Sequence, residues 1–231
     1  MLTKSQEQLL VAGAQQFGLH LTEQDLILFA HFIEEIQRWS KIADLLSQTD
    51  PDTLIRKHIL DSLALLSCIP TGSRVLDLGS GAGFPGLPLA IANQNLSITL
   101  IETRRKRANF LKESTRRLGL HNAKAYEGRA EELAQKNELQ GVFDIVTTRA
   151  TWNIALFLRL ADPFLRYKGT AMTMKGPKFQ KELQEMREQI EKTTFLHSDT
   201  KTYLLSGNEK RTIAIFTKIS SIENVSRKTS Q

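Results

Sequence analysis

The chain has 231 residues, 41% hydrophobic and 24% charged, the balance of an ordinary globular protein rather than a disordered or fibrous one. Its apolar runs are too short to span a bilayer, and Met1-Leu2-Thr3-Lys4-Ser5-Gln6 opens no signal-peptide pattern. Cys68 is the single cysteine, which excludes an internal disulfide and a cysteine-based metal cluster and suits a reducing cytoplasm. The net charge is +6, and residues 103–117 account for all of it: seven basic side chains (Arg104, Arg105, Lys106, Arg107, Lys112, Arg116, Arg117) against Glu113. Charge concentrated in this way points to a polyanion, RNA or DNA, as partner.

In chain order, residues 4–17 and 22–47 read as helices. In the second, Leu26, Phe29, Phe32, Ile33, Ile36 and Trp39 recur at three- and four-residue steps and form one apolar stripe. Thr22 and Asp25 suit a capping pair at its start. Asp50-Pro51-Asp52 marks a break, with Pro51 placed for the first turn of a helix over 51–67. From Arg74 the pattern alternates. Strands are expected at Arg74–Leu78, Ser97–Glu102, Ala123–Glu127, Phe143–Thr148 and 169–175, with helices over 87–92, 105–118, 130–136 and 154–165 between them. This alternation implies an α/β fold with a doubly wound, mostly parallel sheet and a site at the carboxyl ends of its strands. A polar helix over 178–192 leads into an antiparallel hairpin of 203–206 and 211–217, joined by Gly207-Asn208. The expected division is an N-terminal helical subdomain over 1–69, an α/β domain over 70–220 and a flexible tail over 221–231.

The stretch from Asp77 to Gly86 reads DLGSGAGFPG, a strand that ends in a carboxylate and runs into glycines. Such a turn offers backbone N–H groups and a helix N-terminus to a ligand. Gly81, Gly83 and Gly86 also match the dinucleotide fingerprint, with Glu102 at a suitable distance to bind ribose hydroxyls. Asp77 weighs against a dinucleotide, because a carboxylate repels two approaching phosphates. It favours a cationic ligand such as S-adenosylmethionine, which carries a sulfonium and an ammonium. Glu102 supports a nucleoside without deciding between the two.

The same residues carry a closer resemblance. The run from Asp77 to Ala90, DLGSGAGFPGLPLA, resembles the signature of the ribosomal RNA small subunit methyltransferase G family. RKHILDSL (56–63), Lys106-Arg107 with Phe110-Leu111, GRAEE (128–132), FDIVTTRA (143–150) and Lys175-Gly176 agree in the expected order. The segment 39–50, WSKIADLLSQTD, departs from the Asn-Leu-Thr-like segment usual there. The resemblance implies a class I, Rossmann-like methyltransferase that uses S-adenosylmethionine to methylate N7 of a guanine in 16S rRNA, in the decoding region. It also implies cofactor contacts at Gly79, Phe84, Ala130, Glu131 and Arg149, beside Asp77, Gly81, Gly83 and Glu102 from the loop reading. The expected partner is 16S rRNA or the small subunit, with no membrane and no metal, and the chain is expected to act as a monomer.

The residues suit such chemistry. N7 of guanine carries a lone pair and no proton, so methyl transfer needs positioning and electrostatic complementarity rather than a general base. Arg149 follows an apolar strand at its functional end, where a guanidinium meets a cofactor carboxylate, an RNA phosphate or the guanine edge; a salt bridge to Asp77 or Glu131 is the structural alternative. His58 and Asp61, three apart on one helix face, suit either substrate approach or packing. Trp152 suits base stacking or a buried aromatic role, and Lys175 a phosphate contact. A small-molecule methyltransferase of the same fold and a non-catalytic RNA-binding or assembly protein remain as alternatives.

Overall fold

The computed structural model describes residues 1–150, 152–205 and 209–219. Strands β1 (Arg74–Leu78), β2 (Ser97–Glu102), β3 (Ala123–Glu127), β4 (Phe143–Thr148) and β5 (Leu165–Lys175) run parallel. Two further strands, β6 (Phe195–Leu205) and β7 (Glu209–Lys218), complete a seven-stranded sheet of order β3-β2-β1-β4-β5-β7-β6, with β7 antiparallel to both neighbours. The order reverses beside β1, which places a crevice at the carboxyl ends of β1, β2 and β4.

Before the sheet come α1 (Lys4–Gln15) and α2 (Glu23–Ala43). The expected cap is present: Thr22 Oγ1 accepts from Asp25 N–H at 3.2 Å and Asp25 returns the bond to Thr22 N–H at 2.8 Å. α2 ends at Ala43 rather than at 47 because Asp44 takes a left-handed conformation, φ 48°. The third helix is composite. Short α3 (Pro51–Thr53), with Pro51 in its first turn, passes through a π-turn at Leu54–Ile59 into α4 (Leu60–Leu63) and a 3₁₀ turn at Ala64–Cys68.

The sheet helices are α5 (Gly86–Ala92), α6 (Arg105–Arg117), α7 (Ala130–Leu133), α8 (Ile154–Ala161), α9 (Phe179–Glu185) and α10 (Arg187–Glu191). Period-two alternation sorts the strands' side chains onto two cores. Val75, Ile98, Leu100, Ile145, Met172 and Ile213 pack under α1–α6, whereas Leu76, Leu78, Ile101, Val146, Ala171 and Phe216 pack under α7–α10.

Further boundaries differ from expectation: α7 ends at Leu133 rather than at 136, and α8 at Ala161 rather than at 165. β5 starts at Leu165 because Leu165 pairs with Phe143 across a register shift, and Lys168 (φ 62°) with Gly169 disguises the strand start. The helix over 178–192 is two helices, interrupted at Met186. β6 extends back to Phe195, unmarked in the sequence because it is an edge strand: its alternation is mostly exposed and polar, so little of it reads as apolar. The Gly207-Asn208 turn and the 221–231 tail lie outside the described residues.

Candidate active site

At the carboxyl edge of β1 the chain turns through the glycine loop into α5. Gly79 and Ser80 N–H groups donate to the Ile101 carbonyl at 2.9 and 3.0 Å, tying the loop to β2. Gly79 sits at φ +70°, and a Cβ there would lie 3.1 Å from the Trp152 ring, so the position requires glycine. Two carboxylates then hold the loop by its backbone. Glu102 Oε2 accepts from Gly81 N–H at 2.9 Å and its Oε1 from Arg104 N–H at 2.7 Å. Asp77 Oδ2 accepts from Gly86 N–H at 3.1 Å; any side chain at Gly86 would come within 2.9 Å of that oxygen and 2.2 Å of Leu100.

Asp77 is fully buried, and its Oδ1 has no partner among the described residues. Thr147 stands opposite Asp77 in the β1–β4 register, and its hydroxyl is buried and unpartnered too. Burial pushes the Asp77 carboxyl up to about 7, against the opposing pull of Gly86 N–H, Ser80 and Arg149. The carboxyl of β1 is therefore pushed well above the ordinary carboxylate range, with one oxygen left without a partner among the described residues.

Arg149 leaves β4 toward the helical cap. Its guanidinium pairs with Asp61 at 3.1 Å and donates to the Lys57 carbonyl at 3.2 Å, so Asp61, rather than Asp77 or Glu131, is its carboxylate partner. The π-turn supplies that carbonyl; i→i+5 bonding there (Leu60 N–H to Ile55 carbonyl) widens the helix. Arg149 also meets His58 Nδ1 at 3.3 Å. A guanidinium only donates, so Nδ1 is the acceptor and the proton sits on Nε2. Burial and then Arg149 depress His58 to about 4, which keeps the ring neutral. Phe84 stacks on this ring at 5.1 Å and lies 5.6 Å below Arg149.

Asp61 itself has no exposure and accepts from Arg149, from Arg211 at 3.1 Å and from the Tyr203 hydroxyl. Packing, not substrate approach, is its observed role. Arg211 and Tyr203 are members that no local sequence signal reveals. Lys175 is also committed: its ammonium donates to the Trp152 carbonyl at 2.8 Å and to Glu182 at 2.9 Å.

In front of Gly79 lies a cavity of about 330 Å³, lined by Leu78, Gly79, Ile101, Thr103, Ala130 and Trp152, with Arg129 and Glu131 at its rim. Of the sequence-derived site residues, Gly79, Ala130 and Glu131 meet on this cavity. Asp77, Gly81 and Glu102 form the hydrogen-bonded frame behind it, with Gly83 N–H on the Ser80 carbonyl, and Phe84 and Arg149 sit together beneath the helical cap. A mostly apolar recess of this volume accommodates a nucleoside, and the leftover Asp77 oxygen suits a cationic group: the residues fit S-adenosylmethionine. Among the described residues no cluster of His, Cys, Asp and Glu has the makings of a metal site, and no helix is long and apolar enough to cross a membrane.

Comparison with known proteins sets this geometry in a family. Residues 25–213 match the model of the rRNA small subunit methyltransferase G family. The chain belongs to this family. It is 36% identical over 200 residues to the ribosomal RNA small subunit methyltransferase G of Lachnoclostridium phytofermentans, covering 82% of this chain and 83% of that one. It is 33% identical over 184 residues to the protein of that name from Clostridium botulinum, covering 79% and 77%. In fold it resembles a SAM-dependent methyltransferase from Aquifex aeolicus, with a TM-score of 0.58 at 16% identity over 79% of this chain and 98% of that one. The family match spans the glycine loop, the cavity and the Asp61 network, so the methyltransferase G assignment and the class I fold rest on the same residues.

Of the basic residues of 103–117, four are engaged within the fold, three of them by carboxylates. Arg107 donates to the Asp44 carbonyl, Lys112 faces Glu127, Arg116 pairs with Glu113 and Arg117 with Glu35. Arg104, Arg105 and Lys106 are exposed and make no side-chain ion pair among the described residues. They crowd the N-terminus of α6, where the helix dipole disfavours cations, directly after Glu102.

Proposed function

We propose that this chain is an S-adenosylmethionine-dependent methyltransferase that methylates N7 of a guanine in 16S rRNA, in the cytoplasm. The observation that carries the reading is the glycine loop of a methyltransferase G family member, framed by Asp77 and Glu102 and opening on a nucleoside-sized cavity. S-adenosylmethionine supplies a methyl group activated by its sulfonium. Asp77, poised near neutrality, complements the positive charge of the donor, and Glu102 keeps lone pairs for ribose hydroxyls beyond those that hold the loop.

Guanine N7 attacks with its own lone pair, so the protein's part is alignment and charge placement. Arg149, paired with Asp61, fixes the end of β4 against the N-terminal helices, and the free Arg104–Arg105–Lys106 triplet at the same edge of the sheet faces RNA phosphates. This triplet favours an RNA substrate over a small molecule, which needs no such charge. The test is to map N7-methylguanine in 16S rRNA from cells with and without the gene, then restore it with purified protein and S-adenosylmethionine. One guanine that loses and regains the modification supports the reading; unchanged modification in both arms rejects it.

A further inference from the structure

Trp152 follows the end of β4, and the sequence leaves its role open between stacking and burial. In the fold it is half-buried, with its ring tip against Gly79 and one flank on the cavity that Ala130 and Thr103 line. The backbone around it is fastened on both sides. Upstream, Ala150 N–H donates to Thr148 Oγ1 at 3.0 Å, and that hydroxyl is anchored on the Leu78 carbonyl at 2.8 Å. Downstream, Asn153 caps α8, and Ile154 N–H donates to Glu182 at 3.1 Å. Lys175 closes the clasp by bridging the Trp152 carbonyl to the same Glu182 oxygen.

A lysine and a glutamate, 12% and 28% exposed, are thus spent on holding one short loop. The part of that loop that reaches the cavity is an indole. We propose that Trp152 is the aromatic wall on which the base of the cofactor's nucleoside stacks, with Lys175 and Glu182 as positioning residues that hold it over Gly79. This rests on the reading of the cavity as the S-adenosylmethionine site. It also gives Lys175 a role in place of the phosphate contact suggested by its position at the end of β5.

The chain has two tryptophans, Trp39 on α2 and Trp152, so Trp39→Phe leaves Trp152 as the only indole reporter. Titration of this variant with S-adenosylhomocysteine is expected to change Trp152 emission with the same midpoint as the calorimetric Kd. Methylthioadenosine is expected to reproduce the change and free methionine is not, because the base makes the contact. Trp152→Ala should weaken S-adenosylhomocysteine binding on the order of 10-fold, and Trp152→Phe should restore most of it. Lys175→Met, or Glu182→Gln should the first variant fail to fold, should weaken binding several-fold while leaving Trp152→Ala no weaker when combined with it. Calorimetric binding with silent Trp152 emission, or a Trp152→Ala Kd within two-fold of the parent, overturns the proposal and leaves the proposed function intact. No heat with S-adenosylhomocysteine in the unmodified chain overturns the functional reading itself.

Discussion

Asp77 concentrates the consequences of a single side chain. Its folded pKa of about 7 lies above the ordinary 3.8, so its contribution to stability is fully present below pH 3.8 and is lost as pH rises through 7. Ionised at pH 8 it costs the fold on the order of 4 kcal/mol, a burden that no structural requirement of the loop imposes. Asp77→Asn keeps an acceptor for Gly86 N–H and removes the charge. The expected outcome is a Tm several degrees higher than the parent at pH 8, with the gap closing toward pH 5, read by thermal melts across pH. A cationic cofactor opposes this trend, since it is drawn to the ionised form. Binding of S-adenosylmethionine at pH 6.5 should therefore release a fraction of a proton, measured by calorimetry in buffers of different ionisation heat, and Asp77→Asn should abolish that release. His58, depressed to about 4 by burial, works in the opposite sense: its stabilisation is complete above pH 6.5 and is lost as pH falls through 4. Gly86 is the third residue with a sharp expectation. Gly86→Ala drives a methyl group to 2.2 Å from Leu100, and overpacking there should lower stability by about 1–3 kcal/mol in urea melts with m unchanged.

α6 carries the argument at the scale of an element. Its N-cap and first turn hold no acid and three cations without an ion pair among the described residues, an arrangement that local energetics disfavours. Replacing Arg104, Arg105 and Lys106 with Glu should raise Tm slightly while weakening 16S rRNA binding, and should reduce the slope of log K against log salt by roughly two to three. Arg116→Ala, which removes a cation already paired with Glu113, should leave that slope within about half a unit. A small-molecule enzyme would keep its turnover in both variants. The basic run was legible in the sequence, but its partition into four committed and three free cations was not, because Glu35, Asp44 and Glu127 are supplied by α2, its C-cap and β3. The elements themselves show the same division. Strands β1, β2 and β4 stand at the residues their apolar runs mark, since each lies inside the sheet and is largely buried on both faces, whereas β3, an edge strand, stands at its expected residues with none of them fully buried. The outer half of the sheet is longer than it reads, because β6 has one neighbour and a mostly polar pattern that carries no apolar period.

Over the whole molecule, one carboxylate joins what the sequence holds furthest apart. Asp61 on α4 accepts from Arg149 after β4, Tyr203 on β6 and Arg211 on β7, the last 150 residues away. The glycine loop announces itself within ten residues, whereas this hub has no local signature: its parts become neighbours only once the antiparallel β7 slots between β5 and β6. Its location explains how the N-terminal helices are held in register with the site. The π-turn and α4 are fastened by Arg149 to the end of β4 and by Arg211 to the hairpin, so the cap that packs His58 and Phe84 is tied to the sheet at two points. Removing the carboxylate leaves two guanidinium groups facing one another, with Arg149 largely buried, and a phenol without its acceptor. Asp61→Ala is expected to cost about 3–5 kcal/mol in urea unfolding. Arg211→Met alone should cost less, and adding it to Asp61→Ala should recover part of the loss, because it relieves the repulsion created by the first change. Hydrogen exchange distinguishes this hub from a local contact: Asp61→Ala should lower protection together in α4 and in β6–β7, whereas a defect confined to α4 would show that the hairpin is held by its own ladder alone.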